Sequence, residues 1–61
     1  MDKFVIFFEN GNYIVITSDY LKESDNYINF YMRMEESKDI LVAQFAKNKI
    51  AGYSKYRNAE V

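Results

Sequence analysis

The first seventeen residues contain two apolar runs separated by a polar turn. Residues 3–8 and 13–17 are rich in β-branched and aromatic side chains, and Asn10-Gly11 lies between them. Asn-Gly between two such runs is a strong hairpin signal, because a two-residue type I′ turn needs positive φ at both central positions. The pattern therefore predicts a β-hairpin in which Phe8 lies opposite Tyr13.

This register would give the hairpin two apolar faces, because successive side chains of a strand point to opposite sides. One predicted face carries Val5, Phe7, Ile14 and Ile16, and the other carries Phe4, Ile6, Phe8, Tyr13, Val15 and Thr17. A small single-layer sheet can cover only one of its faces well. The second face therefore predicts contact with another protein chain.

The rest of the chain predicts further strands. Residues 18–26 are polar and predict a loop holding at most one helical turn, whereas residues 27–34 alternate as a strand with one wet face. Residues 39–46 are interpreted as a fourth strand with Leu41, Ala43 and Phe45 inward, and a turn at 47–49 leads to a fifth strand over 50–56.

The predicted fold is a single all-β domain spanning residues 1–61. It is an antiparallel five-stranded meander or half-barrel of the SH3-like or Sm-like kind. The alternative is an α+β fold with a helix at about residues 38–51, for which Ser37 would be the N-cap and Gly52 the stop. The strand interpretation is favoured, because the apolar residues of this stretch form a poor helical stripe.

Size adds a constraint. A chain of 61 residues without cysteine has no disulfide to stabilise it, so it must be unusually apolar or must oligomerise. It is 49% hydrophobic and 18% aromatic. The lack of cysteine favours a cytoplasmic location, and the short apolar run near the N-terminus favours neither a signal peptide nor a membrane association.

Residue types that support catalysis are missing. Without histidine or cysteine, the chain lacks the usual general base, soft metal ligands and activated nucleophile. The carboxylates of residues 19–25 and 35–39 lack calcium-loop spacing, and two glycines cannot build a phosphate loop. The sequence therefore predicts a protein that is not an enzyme and uses no cofactor or metal.

Charge is unevenly distributed. Residues 1–46 hold four basic and eight acidic residues, whereas residues 47–61 hold four basic and one acidic. The basic segment interleaves cations with aromatic rings, as single-stranded nucleic-acid surfaces do. Its candidate residues are Lys47, Lys49, Tyr53, Lys55, Tyr56 and Arg57. Lysines on a terminal strand also serve to discourage edge-to-edge aggregation, so this nucleic-acid function is the alternative hypothesis.

The leading hypothesis rests on the six tyrosines and the surplus apolar face. Tyrosine and methionine are enriched at the centres of protein interfaces. The sequence therefore predicts a homodimer that also binds another protein. The predicted interface residues are Phe4, Ile6, Phe8, Tyr13, Val15, Tyr27 and Tyr31.

Four short pieces of the sequence carry a resemblance. They are the hairpin at Asn10-Gly11, Phe30-Tyr31, Val42-Ala43-Gln44-Phe45 and Ile50-Ala51-Gly52-Tyr53. With them the chain resembles, over most of its length, short uncharacterised β-meander proteins of Gram-positive bacteria and their phages. Small phage proteins of this sort often bind a host protein, including components of antiphage defence. The resemblance thus implies a phage-encoded inhibitor or modulator of a host protein, and it transfers no functional residue.

Overall fold

The structure is a computed structural model that describes residues 1–56. Within this range the chain forms six strands and one 3₁₀ turn. They are β1 (Asp2–Phe7), β2 (Tyr13–Ser18), β3 (Tyr20–Glu23), β4 (Tyr27–Met32), β5 (Ile40–Ala46), the 3₁₀ turn (Lys47–Lys49) and β6 (Gly52–Tyr56). The strand interpretation of the fourth predicted segment is confirmed, and the alternative helix at 38–51 is wrong.

The strands form two small antiparallel sheets. The first sheet has the order β2-β1-β6, and the second has the order β3-β4-β5. The all-β prediction is therefore confirmed, but the number of strands in the described range is six rather than five. The additional strand is β3, which pairs with β4 from Tyr20 opposite Tyr31 to Glu23 opposite Ile28.

The polar segment predicted as a loop contains this additional strand. Only Asp19 separates β2 from β3, and its backbone N–H donates to the carbonyl of Tyr31 at 2.8 Å. The Asp19 carboxylate accepts a 2.8 Å hydrogen bond from the backbone N–H of Arg33. Ser18 is fully buried, and its hydroxyl donates to the carbonyl of Tyr20 at 3.3 Å. These bonds fix the corner at which the chain passes from one sheet to the other.

The core lies between the two central strands. Phe4 and Ile6 of β1 pack with Ile28 and Phe30 of β4, and all four side chains are buried. Phe45 adds a third ring, with its centroid 5.9 Å from that of Phe30. Further apolar side chains pack around this cluster from both sheets. They are Phe8, Ile16, Leu21, Ala43, Phe45, Ile50 and Tyr53.

The hairpin forms as predicted, but the predicted register is wrong by one residue. Phe7, not Phe8, lies opposite Tyr13. The Gly11 N–H donates to the Phe8 carbonyl at 3.0 Å, and the Phe8 N–H donates to the Asn12 carbonyl at 2.8 Å. Gly11 has φ of 91°, while Asn10 does not have positive φ. The turn is therefore a three-residue loop with glycine in the left-handed region rather than a type I′ turn.

A β-bulge interrupts the pairing of β4 with β5. Phe30 lies opposite Ala43 and Tyr31 lies opposite Leu41, so Val42 is the extra residue. Ala43 and Phe45 pack against the core as predicted. The predicted inward position of Leu41 is wrong, because the bulge shifts it to the register of Tyr31 and leaves it 47% exposed.

Candidate functional site

The outer face of the first sheet is an exposed, mainly apolar surface. Because Phe4 and Ile6 point into the core, their neighbours in β1 point away from it. Pairing places three rows of side chains on this outer face. Each row runs from β2 through β1 to β6. From the end of the sheet away from the hairpin turn (the open end) to the end at the turn (the hairpin end), the rows are Thr17, Lys3 and Tyr56; Val15, Val5 and Ser54; and Tyr13, Phe7 and Gly52.

Large side chains dominate the exposed part of this face. Tyr13 is 62% exposed, Tyr56 54%, Val15 53% and Phe7 38%. Together they present on the order of 400 Å² of surface, which is within the range of the largest apolar patches on monomeric proteins. Such patches are often functional. The one formal charge among the nine residues is that of Lys3.

The relief of the face follows from its small residues. Val5 occupies the centre of the rows and is only 8% exposed, so it lies below its taller neighbours. Gly52 lies opposite Phe7 and contributes no side chain there. A Cβ built at Gly52 would meet no heavy atom within 4 Å. Next to the Phe7 and Tyr13 rings, whose centroids are 6.3 Å apart, the face therefore has an open notch.

The predicted interface residues are not brought together. Phe4 and Ile6 are 1% and 0% exposed in the core, so their assignment to an exposed face is wrong. Phe8 is half-buried, with its ring centroid 6.3 Å from that of Phe45. The one-residue change of register explains these corrections, since it turns Phe4, Ile6 and Ile16 to the same side. Of the hairpin residues predicted as an interface, Tyr13 and Val15 lie on the outer face of the first sheet.

Tyr27 and Tyr31 lie on the outer face of the second sheet, across the core from Tyr13 and Val15. Tyr31 stacks on Tyr20 with centroids 5.1 Å apart and an interplanar angle of 17°. The guanidinium of Arg33 lies 4.9 Å from the centroid of the Tyr20 ring, a cation–π arrangement. Tyr27, by contrast, is 43% exposed. These two tyrosines therefore do not extend the apolar face of the first sheet.

Asp39 completes the cluster around Tyr20. The Tyr20 hydroxyl donates a hydrogen bond to the Asp39 carboxylate. This bond raises the pKa of Tyr20 above its usual value, because ionisation of the phenol would remove the donor and place two negative charges together. The contact connects the loop after β4 to the start of β3, so these side chains have a structural role in the second sheet.

The predicted basic segment is divided between two sides of the first sheet. Lys55 lies in register with Phe4, and its ammonium nitrogen is 3.2 Å from the Asp2 carboxylate. Tyr56 points to the opposite side, in the row of Lys3. Lys49 is exposed in the 3₁₀ turn, and Arg57 lies outside the described residues. The described members of the segment therefore do not form one continuous nucleic-acid surface.

Two members of that segment converge instead on Glu23. The Lys47 ammonium lies 3.1 Å from one carboxylate oxygen, and the Tyr53 hydroxyl donates to the other at 2.9 Å. The hydrogen bond from Tyr53 and then the contact with Lys47 lower the pKa of Glu23, while the same hydrogen bond raises the pKa of Tyr53. This cluster closes the end of the two sheets near the 3₁₀ turn.

An open cleft of about 470 Å³ lies at the corner between the sheets, near Asp19. Its lining combines an anion with cations and aromatic rings, and consists of Phe4, Asp19, Tyr20, Leu21, Arg33, Tyr53 and Lys55. Over residues 1–56, no three acidic side chains are grouped closely enough to hold a metal ion. In the same range, no helix is long and apolar enough to cross a membrane.

A second exposed apolar segment lies at the start of β5. Ile40, Leu41 and Val42 are each between 44% and 48% exposed, and β5 is an edge strand of the second sheet. Sequence reasoning missed this segment because it placed Leu41 in the core. It also missed Phe7, Gly52 and Tyr56 as parts of one surface, because their proximity depends on the pairing of β1 with β6.

The chain matches no protein-family model, no curated protein and no solved structure in the comparisons made.

Proposed function

We propose that this protein is a non-enzymatic protein-binding module whose binding surface is the outer face of the first sheet. The observation that carries the proposal is the shared exposure of Phe7, Tyr13, Val15 and Tyr56 on that face. These four large side chains are left in solvent on one side of the protein. Covering them with another protein would remove that surface from water.

The geometry suits protein recognition. The four side chains project from three paired strands, so little backbone freedom is lost when a partner binds. Tyr13 and Tyr56 can bury large rings at the cost of two rotatable bonds each, and each keeps a hydroxyl for a hydrogen bond at the rim. A mainly apolar surface with one charge selects a partner whose surface is also mainly apolar.

We also propose an architecture that joins the two sheets. Because β2 and β3 are separated by one residue, they act as one bent strand shared by both sheets. The resulting strand order, β6-β1-β2/β3-β4-β5, with a 3₁₀ turn between the last two strands in sequence, supports a half-barrel of the SH3-like kind. We propose that this half-barrel serves as a rigid support for the binding face.

The resemblance to small phage proteins suggests the class of partner. We propose that the face occupies a host protein and thereby inhibits or modulates it. The alternative, a single-stranded nucleic-acid binder, has less support, because Lys47 and Lys55 contact Glu23 and Asp2 and because their segment is split between two sides of the sheet. Exposed ion pairs are weak, so the alternative is best separated experimentally.

Affinity purification with three baits tests the proposal. The wild-type chain, Gly52→Glu and Lys22→Glu are each exposed to host lysate with and without nuclease treatment. Gly52→Glu adds a charge next to Phe7 without a clash, and Lys22→Glu adds the same residue to an exposed position on β3. We expect a protein retained by the wild type and by Lys22→Glu and lost with Gly52→Glu.

Two results would contradict the proposal. Retention of the same protein by all three baits would place the binding surface elsewhere. Loss of all retained material on nuclease treatment would instead favour the nucleic-acid alternative, which also predicts binding that weakens steeply with salt.

A further inference from the structure

The outer face of the first sheet is complementary to itself in shape. Its two largest exposed side chains, Tyr13 and Tyr56, lie at diagonally opposite corners of the three rows. The other two corners hold the small residues Thr17 and Gly52. The low central residue Val5 lies between them. A surface with protrusions on one diagonal and depressions on the other can pack against a rotated copy of itself.

Two rotations bring two such faces together with their strands nearly aligned. In the first, β1 runs antiparallel to β1 of the second copy, so that the hairpin end of each face meets the open end of the other. Tyr13 then meets Thr17 of the second copy, and Tyr56 meets Gly52. In the second rotation, β1 runs parallel to its counterpart, and Tyr13 meets Gly52 while Tyr56 meets Thr17.

Charge decides between the two rotations. The parallel arrangement places Lys3 against Lys3 of the second copy, and two like charges in a partly desolvated interface repel each other. The antiparallel arrangement separates the two lysines to opposite ends. It also places Lys3 against the Phe7 ring of the second copy, where a cation–π contact is favourable. Shape allows both rotations, and charge favours the antiparallel one.

We infer that the occupant of this face is a second copy of the same chain, packed face to face about a two-fold axis with the β1 strands antiparallel. The inference rests on the proposed function in that it uses the same binding surface. It adds the identity of the occupant and the register of the interface, with Tyr56 of each copy seated in the notch at Gly52 of the other.

The size of the face sets the strength of this dimer. The three rows span about 10 by 14 Å between backbone positions, from strand spacing and rise. Two such faces bury on the order of 1,000 Å² in total, which is just below the range of stable specific interfaces. The dimer is therefore reversible and depends on protein concentration. That property would allow the same face to be exchanged between a second copy and another protein.

Sedimentation equilibrium over a dilution series tests the occupant. The wild type is expected to move from the monomer mass of 7.3 kDa towards twice that mass as concentration rises. Gly52→Tyr fills the notch, and we expect it to raise the dissociation constant at least about tenfold. Circular dichroism and the urea midpoint of each variant establish that it is folded, and Lys22→Glu is the surface control.

Exchanging a large and a small residue across the interface tests the register of the dimer. Adding Tyr56→Ala to Gly52→Tyr empties the space that the new ring needs, so it is expected to restore the dimer. Adding Tyr13→Ala instead is expected to leave the variant monomeric. Rescue by Tyr13→Ala and not by Tyr56→Ala would overturn the antiparallel arrangement, because it is the outcome of the parallel one.

Two further outcomes would overturn the inference. A wild-type chain that stays at the monomer mass at millimolar concentration overturns the second copy as occupant. An unchanged dimer in folded Gly52→Tyr shows that the copies meet elsewhere and overturns the inference as well. Neither result removes the proposed function, which fails separately if Gly52→Glu retains the same host protein as the wild type.

Discussion

The Phe4 and Phe30 rings meet at an interplanar angle of 62° with their centroids 5.0 Å apart, and they join the central strands of the two sheets. Both side chains are almost completely buried. Because Phe4 points inward, Val5 and Phe7 on the same strand must point outward. One aromatic contact therefore determines which side of the first sheet is core and which side is presented to other molecules.

Truncation of this contact should unfold the protein. Phe30→Ala removes a buried ring from the centre of the core, which costs about 3–5 kcal/mol. A domain of this size has a stability of about the same magnitude, so we expect the variant to be largely unfolded at 25 °C. Phe30→Leu should cost less, and Val15→Thr on the exposed face should change stability by no more than about 0.5 kcal/mol. Urea unfolding followed by circular dichroism measures all three, and a folded Phe30→Ala would contradict this description of the core.

The two glycines should respond differently to the same substitution. Gly11 has φ of 91°, so alanine there adopts a backbone conformation that costs about 1–2 kcal/mol. Gly52 has ordinary strand geometry and open space around its Cβ position, so alanine there should be neutral or slightly stabilising. The difference between the thermal midpoints of Gly11→Ala and Gly52→Ala measures the effect. Equal midpoints would be inconsistent with the three-residue turn.

The hairpin shows how far the sequence determines the fold. Asn10-Gly11 and the apolar runs on either side are sufficient to predict two paired strands. They are not sufficient to predict the register, because the same dipeptide serves a two-residue turn or, as here, a three-residue loop with Gly11 in the left-handed region. The difference is one residue, and it exchanges the buried side for the exposed side along part of the hairpin.

Longer-range pairing accounts for the other differences. β3 has a polar sequence, and it becomes a strand because Tyr20 to Glu23 pair with β4 and Leu21 packs against the core. For the outer face, the sequence predicts only that a surplus apolar face exists. The residues that form this face could not be identified from the sequence, because Tyr56 and Gly52 reach it through pairing between strands that are far apart in sequence.

Stability should decline at both ends of the pH scale through the Glu23 and Tyr53 pair. The folded-state pKa of Glu23 lies below its usual value of 4.5, so its contribution is present above that pH and is lost as pH falls through the lowered pKa. The folded-state pKa of Tyr53 lies above 10.0, so its contribution is present below pH 10 and is lost as pH rises through the raised pKa.

Single substitutions separate the loss of stability at low pH from the loss at high pH. Relative to the wild type, Glu23→Gln should lose most stability near pH 7, and the difference should shrink as pH falls through the lowered pKa of the wild-type carboxylate. Tyr53→Phe should lose most stability near pH 8, and the difference from wild type should shrink towards pH 12 as the wild-type phenol ionises. Urea midpoints across this range are the measurement, with Lys22→Gln as an exposed control. A constant difference between wild type and Glu23→Gln at every pH would contradict the assigned role of the carboxylate.

The start of β5 should govern aggregation. Residues Ile40–Ala46 form an edge strand without a charged side chain, and such edges recruit other strands. Val42 is the bulge residue and is 44% exposed, so Val42→Lys introduces a charge without removing a core contact. We expect slower aggregation on heating, measured by light scattering, with the unfolding midpoint nearly unchanged. An unchanged aggregation rate would contradict this role of the β5 edge.

Exposed tyrosines on the two sheets provide a direct test of binding through the outer face of the first sheet. Hydroxyl-radical footprinting measures the modification of Tyr13 and Tyr56 on that face and of Tyr27 on the second sheet. All three are 43% to 62% exposed in the isolated chain. When the protein is concentrated or bound to its captured partner, Tyr13 and Tyr56 should be protected while Tyr27 remains reactive. Protection of Tyr27 with continued modification of Tyr13 and Tyr56 would contradict binding through the outer face of the first sheet.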